Sequence, residues 1–163
     1  MDEDNNPLRE EILKKAKSKA LHILERSDKT ELQLKEKLLE ADFPEDIVEE
    51  AMDYVRSFHY LDDRRYAEHY VRAKAGTKSR FQLLFELQDK GVDREITEEV
   101  ISAAEEEGEL DEKEAVKKQF LKKYAAKDLS DPALYQKAVR YFSGKGYSYD
   151  AIKEGISAAI EVS

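Results

Sequence analysis

The chain has 163 residues, of which 40% are apolar and 40% charged, with a formal net charge of −9 and no cysteine. The lack of cysteine excludes disulfides, thiolate catalysis and cysteine-ligated zinc. The acidic balance argues against non-specific capture of nucleic acid by the whole surface. No apolar run reaches the roughly 18 residues of a membrane span, and the opening MDEDNNPLREE is unlike a signal peptide. We therefore expect a soluble, cytoplasmic protein.

The first third of the chain predicts one unit of three helices. The first eleven residues are acidic and polar, and we expect them to form a frayed arm. A helix is predicted from Ile12 to Arg26, where apolar residues recur at helical spacing. Thr30 is placed to cap a second helix that ends at Asp42, and Pro44 suits the first position of a third.

The same pattern returns twice further along the chain. A shift of 49 residues lays Leu34 on Leu83, and a further shift of 55 reaches Ala138. Apolar character is kept at nearly every matched position, which is typical of a tandem structural repeat. The first helices of the later units are predicted from Asp63 to Ala75 and from Glu112 to Lys127.

These elements predict an all-α fold of three tandem three-helix repeats that form an elongated, curved helical array. The expected divisions are residues 1–11 for the arm, 12–58 for the first repeat, 59–108 for the second and 109–163 for the third. With charge this abundant, the core should be spread over amphipathic helices and not gathered in one thick centre.

Glycines support the register of the repeats. Gly91 and Gly146 share one repeat position just past the second helix, where a left-handed backbone is the usual way to end a helix. Asp42 is the equivalent residue of the first repeat. Aspartate enters that conformation at some cost, so we expect Asp42→Gly to stabilise the first repeat.

The segment from Phe58 to Ala67, FHYLDDRRYA, combines an aromatic strip with paired aspartates and paired arginines. Aromatic side chains favour burial and the charges favour water, so the segment should lie at a junction. Asp62 is placed to cap the helix that begins at Asp63, and both carboxylates complement the positive helix end. Starting this helix is the simplest interpretation of the two aspartates.

The same segment resembles the central signature of the RecX family of recombination regulators. The resemblance rests on seven residues, followed by an aromatic at Tyr70: Tyr60, Leu61, Asp62, Asp63, Arg65, Tyr66 and Ala67. Flanking segments are similar to the family's first, second and closing repeats, from about Lys19 to Ile160. Asp42 departs from the glycine that the family usually has, and the acidic charge is a second departure.

The resemblance implies a non-enzymatic regulator that binds the RecA recombinase filament on DNA, lies in its groove and restrains its ATPase, extension and strand exchange in recombination and SOS DNA repair. It implies no cofactor, no membrane association and no small-molecule substrate, and we expect a monomer. A helical DNA-binding module that acts without RecA is the alternative, and a direct, weak contact with DNA stays open under either hypothesis.

One block of basic residues is the candidate contact surface for RecA or DNA phosphate. Six basic residues face a single acidic one, Glu68, in this block: Arg64, Arg65, Arg72, Lys74, Lys78 and Arg80. Arg65 and Arg72 are seven residues apart and should share a helix face. A merely solvated face is the alternative, and the lysine-rich stretch from Lys113 to Lys127 is the next candidate.

Catalytic and metal-binding motifs are missing from the sequence. The histidines His22, His59 and His69 are scattered, without companion ligands at metal-binding spacing. The AGTKS stretch lacks the spacing of a phosphate-binding loop. The predicted second helices have the mixed charge of a poor DNA footprint, and the tyrosines near the signature more often fill core than stack on bases. We therefore expect a binding protein, with no catalytic, cofactor or metal site.

Overall fold

We describe the fold from a computed structural model, which describes residues 6–162. Over that range the chain forms nine α-helices and no strand. The helices are α1 Pro7–Arg26, α2 Glu31–Glu40, α3 Glu45–Ser57, α4 Asp63–Lys74, α5 Arg80–Asp89, α6 Arg94–Glu106, α7 Glu112–Lys123, α8 Pro132–Gly144 and α9 Tyr149–Val162. The predicted all-α fold of three three-helix repeats is confirmed.

The first helix starts earlier than the sequence indicated. It begins at Pro7 and not at Ile12, because the Asn6 side chain accepts a hydrogen bond from the Leu8 N–H and caps the helix. The Arg9 guanidinium then pairs with carboxylates of α3. Residues 7–11 of the expected arm are thus helical, and residues 1–5 of that arm lie outside the described residues.

Two other helix ends also differ from the prediction. Helix α7 ends at Lys123 and not at Lys127, because Tyr124 leaves helical geometry and becomes the C-cap while its ring is buried. Pro44 is the N-cap of α3 and not its first residue. Both differences concern the end of an element, where local periodicity is least informative.

The chain divides into two compact units, which we describe one at a time. Unit 1 comprises the described residues up to Tyr66 together with Lys90–Val92. Its core is built where α1 packs on α3. Ala16 and Ala20 of α1 are fully buried, and their small side chains let α3 approach closely.

Unit 2 comprises residues 67–89 and those from Asp93 onward. The most extensive contact between helices in unit 2 is that of α7 with α9. Phe120 and Phe142 are fully buried in the core of this unit. At Gly155 of α9 an added Cβ would lie 2.7 Å from the Lys113 carbonyl oxygen of α7. The close packing of these two helices therefore requires glycine at this position.

Left-handed backbone ends two helices in each of the first two repeats. The residues are Asp42 and His59 in the first repeat and, 49 positions on, Gly91 and Gly108 in the second. The positive φ predicted for Asp42 is confirmed at 66°. His59, at 58°, was not anticipated, although the repeat shift places it on Gly108.

A repeated hydrogen bond shows why glycine is needed at one of these positions. Thr30, the cap of α2, donates from its hydroxyl to the Lys90 carbonyl oxygen at 2.5 Å. Ser79, one repeat later, donates to the Lys145 carbonyl oxygen at 2.6 Å. The next residue in each case is a glycine of positive φ. At Gly91 a Cβ would overlap Leu32, and at Gly146 it would lie tightly against Phe81 Cβ and Ser79 Oγ, at 3.0 Å from each.

Asp42 occupies the same repeat position without such a neighbour. Its side chain is exposed, and no equivalent of the Thr30 or Ser79 hydrogen bond reaches the residue before it in the described part of the chain. Aspartate in the first repeat therefore carries only the conformational cost of positive φ. The departure from glycine noted in the sequence has a structural reason.

No helix within residues 6–162 combines the length and the apolarity that crossing a bilayer would require.

Candidate partner-binding site

Five of the seven signature residues hold the fold together. The Asp62 carboxylate accepts from the Arg65 N–H at 3.1 Å, which caps α4 as predicted. The Asp63 carboxylate accepts from the Glu31 N–H at 2.9 Å and so also serves the first turn of α2. Leu61 and Ala67 are buried.

Tyr66 completes this anchoring of α2. Its hydroxyl is hydrogen-bonded to the Gln33 side chain, which closes the capping box with Thr30. Burial raises the pKa of Tyr66 and also that of Asp63, where the Glu31 N–H opposes the rise. The aspartates thus start their own helix, and Asp63 and Tyr66 also fasten α2, a role that sequence reasoning missed.

The remaining two signature residues, Tyr60 and Arg65, are exposed. Tyr60 stacks on Phe58 with ring centroids 5.7 Å apart, and Phe58 meets Tyr54 edge-on at 5.0 Å. The side chains of Phe58 and Tyr60 each keep half of their surface open, at 51% exposure. We call Tyr54, Phe58 and Tyr60 the aromatic wall.

The backbone that presents this wall has a defined geometry. After α3 the His59 N–H donates to the Arg56 carbonyl at 3.0 Å, and the Tyr60 N–H donates to the Val55 carbonyl at 3.2 Å. This pair of bonds is a Schellman motif, whose left-handed residue is usually glycine. Histidine there stiffens the turn at a conformational cost, a kind of strain that clusters at functional sites.

A cavity of about 590 Å³ lies beside the aromatic wall in unit 1. Leu21 and Leu24 of α1 supply aliphatic lining, and Glu25, Asp28 and Arg65 supply charge. The Glu25 carboxylate is exposed and makes no ion pair with any of residues 6–162. The complete lining is Leu21, Leu24, Glu25, Asp28, Tyr54, Phe58, His59, Tyr60 and Arg65.

The two members of the basic block in unit 1 are both exposed. Arg65 makes no ion pair within the described range, whereas Arg64 has an interaction of its own. Only Arg65 lines the cavity. The sequence placed Arg65 in a row of cations, whereas the structure places it beside aromatic rings and carboxylates.

In unit 2 three cations of the block have acidic neighbours. Lys78 pairs with Glu86 and Arg80 with Glu105, each at 2.9 Å, and Arg72 lies 3.8 Å from Glu109. Lys74 is exposed and forms no ion pair with residues that the structure describes. Three of the six positive charges counted along the sequence are therefore offset by acids that lie between 8 and 37 positions away.

The lysine-rich helix α7 is less neutralised. Lys113 lies 3.4 Å from Glu154. No carboxylate between residues 6 and 162 pairs with the other lysines of α7 or with Lys127 beyond its end, namely Lys117, Lys118, Lys122, Lys123 and Lys127. Lys123 and Lys145 both approach the Tyr141 ring, at 4.2 and 4.8 Å from its centroid. The hydrogen bond from Lys145 lowers the pKa of Tyr141.

Within the described chain, no group of three or more histidine, aspartate or glutamate side chains is arranged to hold a metal ion. His22, His59 and His69 are all exposed, and His59 is set apart by its backbone.

Comparison with known proteins gives matches over most of the chain. Models of the first, second and third three-helix domains of RecX match residues 16–55, 62–101 and 111–156. A protein of Clostridium perfringens strain 13 named "Regulatory protein RecX" is 34% identical over 146 residues, which cover 88% of this chain and 68% of that protein. One of Clostridium acetobutylicum, with the same name, is 32% identical over 85% of this chain and 66% of its own length.

Solved structures show the same fold. The crystal structure of RecX from Lactobacillus salivarius superposes with a TM-score of 0.75 at 23% identity, covering 94% of this chain and 99% of that one. A second crystal structure, of a regulatory protein RecX, gives a TM-score of 0.73 at 25% identity and covers 96% and 74%. The chain spans about two thirds of the length of its clostridial relatives.

Proposed function

The chain belongs to the RecX family, and from this membership we propose that it is a non-enzymatic regulator that binds the RecA filament on DNA. By this proposal it restrains ATP hydrolysis, filament extension and strand exchange in recombination and SOS DNA repair. It acts in the cytoplasm as a monomer, without a cofactor.

The observation that carries the proposal is the match of all three RecX domain models in order along one chain. The chain also contains the signature on which the family resemblance rests, and five of its residues take structural roles. Because most of the signature residues stabilise the fold, the domain match mainly supports the architecture. Contact with a partner would then be made by residues that are exposed on the surface.

Inhibition would arise by occupation of surface that RecA subunits or incoming DNA need. The exposed residues in unit 1 include Phe58, Tyr60 and Arg65, and those in unit 2 include Lys74. We propose the basic block as a contact surface, in which Lys78 and Arg80 are paired with acidic residues of the chain itself. Ion pairs that water can still reach contribute little to stability, so a partner can compete for them.

The test is the DNA-dependent ATPase of RecA on single-stranded DNA, measured with increasing amounts of the purified chain. Inhibition that saturates near a fixed ratio to RecA is the expected result. An unchanged ATPase rate at concentrations well above that of RecA would overturn the proposal. Strand exchange between homologous DNA molecules, measured in parallel, reports the second proposed effect.

A DNA-binding module that acts without RecA is the second candidate. The observation that favours it is α7, where four lysines lack carboxylate partners among the described residues, with Lys127 a fifth just beyond the helix. Each phosphate contact made by such a lysine makes the slope of log binding constant against log salt concentration more negative by about 0.9. Tight, strongly salt-dependent binding to bare DNA together with an unchanged RecA ATPase would favour this candidate.

A further inference from the structure

We propose that the cavity beside the aromatic wall binds an arginine or lysine side chain of a protein partner. The inference rests on the proposed function in that the partner would be the RecA filament. The occupant is defined by its chemistry alone, which is a long aliphatic stem that ends in a cation. The argument uses unit 1 only.

The two exposed rings of the aromatic wall, Phe58 and Tyr60, have no aromatic counterparts in the second repeat. The second repeat ends its third helix with the same left-handed turn, and there the residues at the wall positions are Ala103, Glu107 and Glu109. The same turn therefore forms with glutamates at the positions of Phe58 and Tyr60, whereas Tyr54 also packs against the core of unit 1.

The rings offer their faces to a cation. Aromatic faces carry negative potential and attract ammonium and guanidinium groups, with arginine the more frequent partner. One ring is already used in this way, since the Lys17 ammonium lies 4.7 Å from the Tyr54 ring centroid. Phe58 and Tyr60 keep open surface for a second cation.

The charges around the cavity also favour a cation. Glu25 makes no ion pair with another residue of the described chain, and the lining has one guanidinium, that of Arg65. Asp28 adds a second carboxylate to the lining and has an interaction of its own. Glu25 lies in the last turn of α1 and Tyr54 in the last turn of α3. Helix C-termini carry partial negative charge, so two of them favour the same sign of ligand.

Arg56 does not cancel this field. It lies in the last turn of α3, but its guanidinium is held by Glu31 at 2.6 Å and Asp53 at 2.7 Å. Leu21 and Leu24 complete the site with an aliphatic surface suited to the methylene stem of the occupant. A phosphate or a nucleic-acid backbone would meet the carboxylates and both helix C-termini with the wrong sign of charge.

The direct test is an NMR titration of the full chain with N-acetyl-arginine amide, with N-acetyl-norleucine amide as the uncharged control. We expect millimolar binding of the arginine probe that shifts the Phe58 and Tyr60 ring signals, and no saturable shift with the control. The Phe58→Leu/Tyr60→Leu variant keeps apolar bulk without ring faces and should bind the probe and the RecA filament between about 2-fold and 30-fold more weakly. Glu25→Gln should weaken both, whereas Glu36→Gln on α2, an exposed acid outside the cavity, should change neither.

Arg65 gives a test of sign. Its guanidinium repels a cationic occupant, so Arg65→Gln should leave probe binding unchanged or make it stronger. Weaker probe binding by Arg65→Gln, or saturable binding of inorganic phosphate that Arg65→Gln abolishes, would overturn the proposal and assign an anion to the site. Equal binding of both amides would mean an apolar docking site and would also overturn it.

The two proposals fail in different ways. If the parent chain binds the arginine probe but leaves the RecA ATPase unchanged, the proposed function fails and the cation site stands. If the parent inhibits RecA and the Phe58→Leu/Tyr60→Leu and Glu25→Gln variants inhibit it equally well, the cation site fails and the function stands. Urea unfolding of all variants tests whether folding is intact. We expect their midpoints to lie close to that of the parent chain, as is usual for exposed substitutions.

Discussion

The glycine under Leu32 offers the sharpest test of how neighbouring repeats are joined. An alanine Cβ at Gly91 would overlap the Leu32 Cβ and lie 2.8 Å from Leu32 Cδ2, at a residue whose φ is +100°. Two costs therefore combine in Gly91→Ala. The positive φ contributes about 1 kcal/mol, and overpacking against α2 contributes about 1 to 3 kcal/mol. We expect a total loss of about 2 to 4 kcal/mol.

Gly108→Ala is the matched control for the first of these costs. Gly108 also has a positive φ, of 78°, but an added Cβ would meet nothing within 4 Å. Its substitution should cost only about 1 kcal/mol. Equilibrium urea unfolding of both variants, followed by circular dichroism, measures the difference.

A double-mutant cycle isolates the overlap. In a Leu32→Gly background the overlapping side chain is gone, so Gly91→Ala should cost about 1 kcal/mol there, as at Gly108. Leu32→Gly itself costs about 1 kcal/mol of helix propensity in α2. If Gly91→Ala costs the same with and without the Leu32 side chain, the packing of Leu32 on this turn is not the reason for glycine, and the reasoning is refuted.

Three further predictions concern other residues. Asp42→Gly should raise the free energy of unfolding of unit 1 by up to about 1 kcal/mol, because only the cost of positive φ is removed, and a lower melting temperature would contradict this. The double variant Arg72→Glu/Lys74→Glu changes two exposed residues, so it should leave the urea midpoint nearly unchanged and weaken binding to RecA filaments. If this variant inhibits RecA as well as the parent chain does, the basic block is only a solvated surface. Burial raises the pKa of Glu112 above its ordinary 4.5, so the ionised carboxylate destabilises the folded state. Glu112→Gln should therefore raise the urea midpoint, and most at neutral pH, where the glutamate is ionised. That gain should shrink as the pH falls through the raised pKa towards 4.5, and a gain that grows on acidification would show the opposite shift.

The helices and their repetition follow from the sequence because they rest on short-range information. Apolar spacing within ten residues predicts a helix, and the shift of 49 aligns one unit with the next. Local capping chemistry belongs to the same class, and the caps predicted for Thr30 and Asp62 are confirmed. The positive φ of Asp42 is confirmed as well, because the repeat places it on a glycine.

The candidate site depends on contacts that no local pattern contains. Arg80 is paired with Glu105 and Arg72 with Glu109, so a cationic stretch in the sequence is partly neutral in the fold. Asp63 reaches Glu31 across 32 positions, and the sequence indicated only its helix start. Charge counted along the chain cannot anticipate such pairs, because their partners are chosen by the packing of helices distant in sequence.

The aromatic wall illustrates what the sequence determined about this protein and what only tertiary packing determined. The sequence alone determined that Phe58 and Tyr60 flank a histidine at a helix end, and the repeat shift to Gly108 held the signal that His59 has left-handed geometry. Only the tertiary structure decided that this turn faces Glu25 and the aliphatic side of α1. The physical reason is that backbone conformation is set by neighbours in the chain, whereas a binding site is made by side chains that packing brings together.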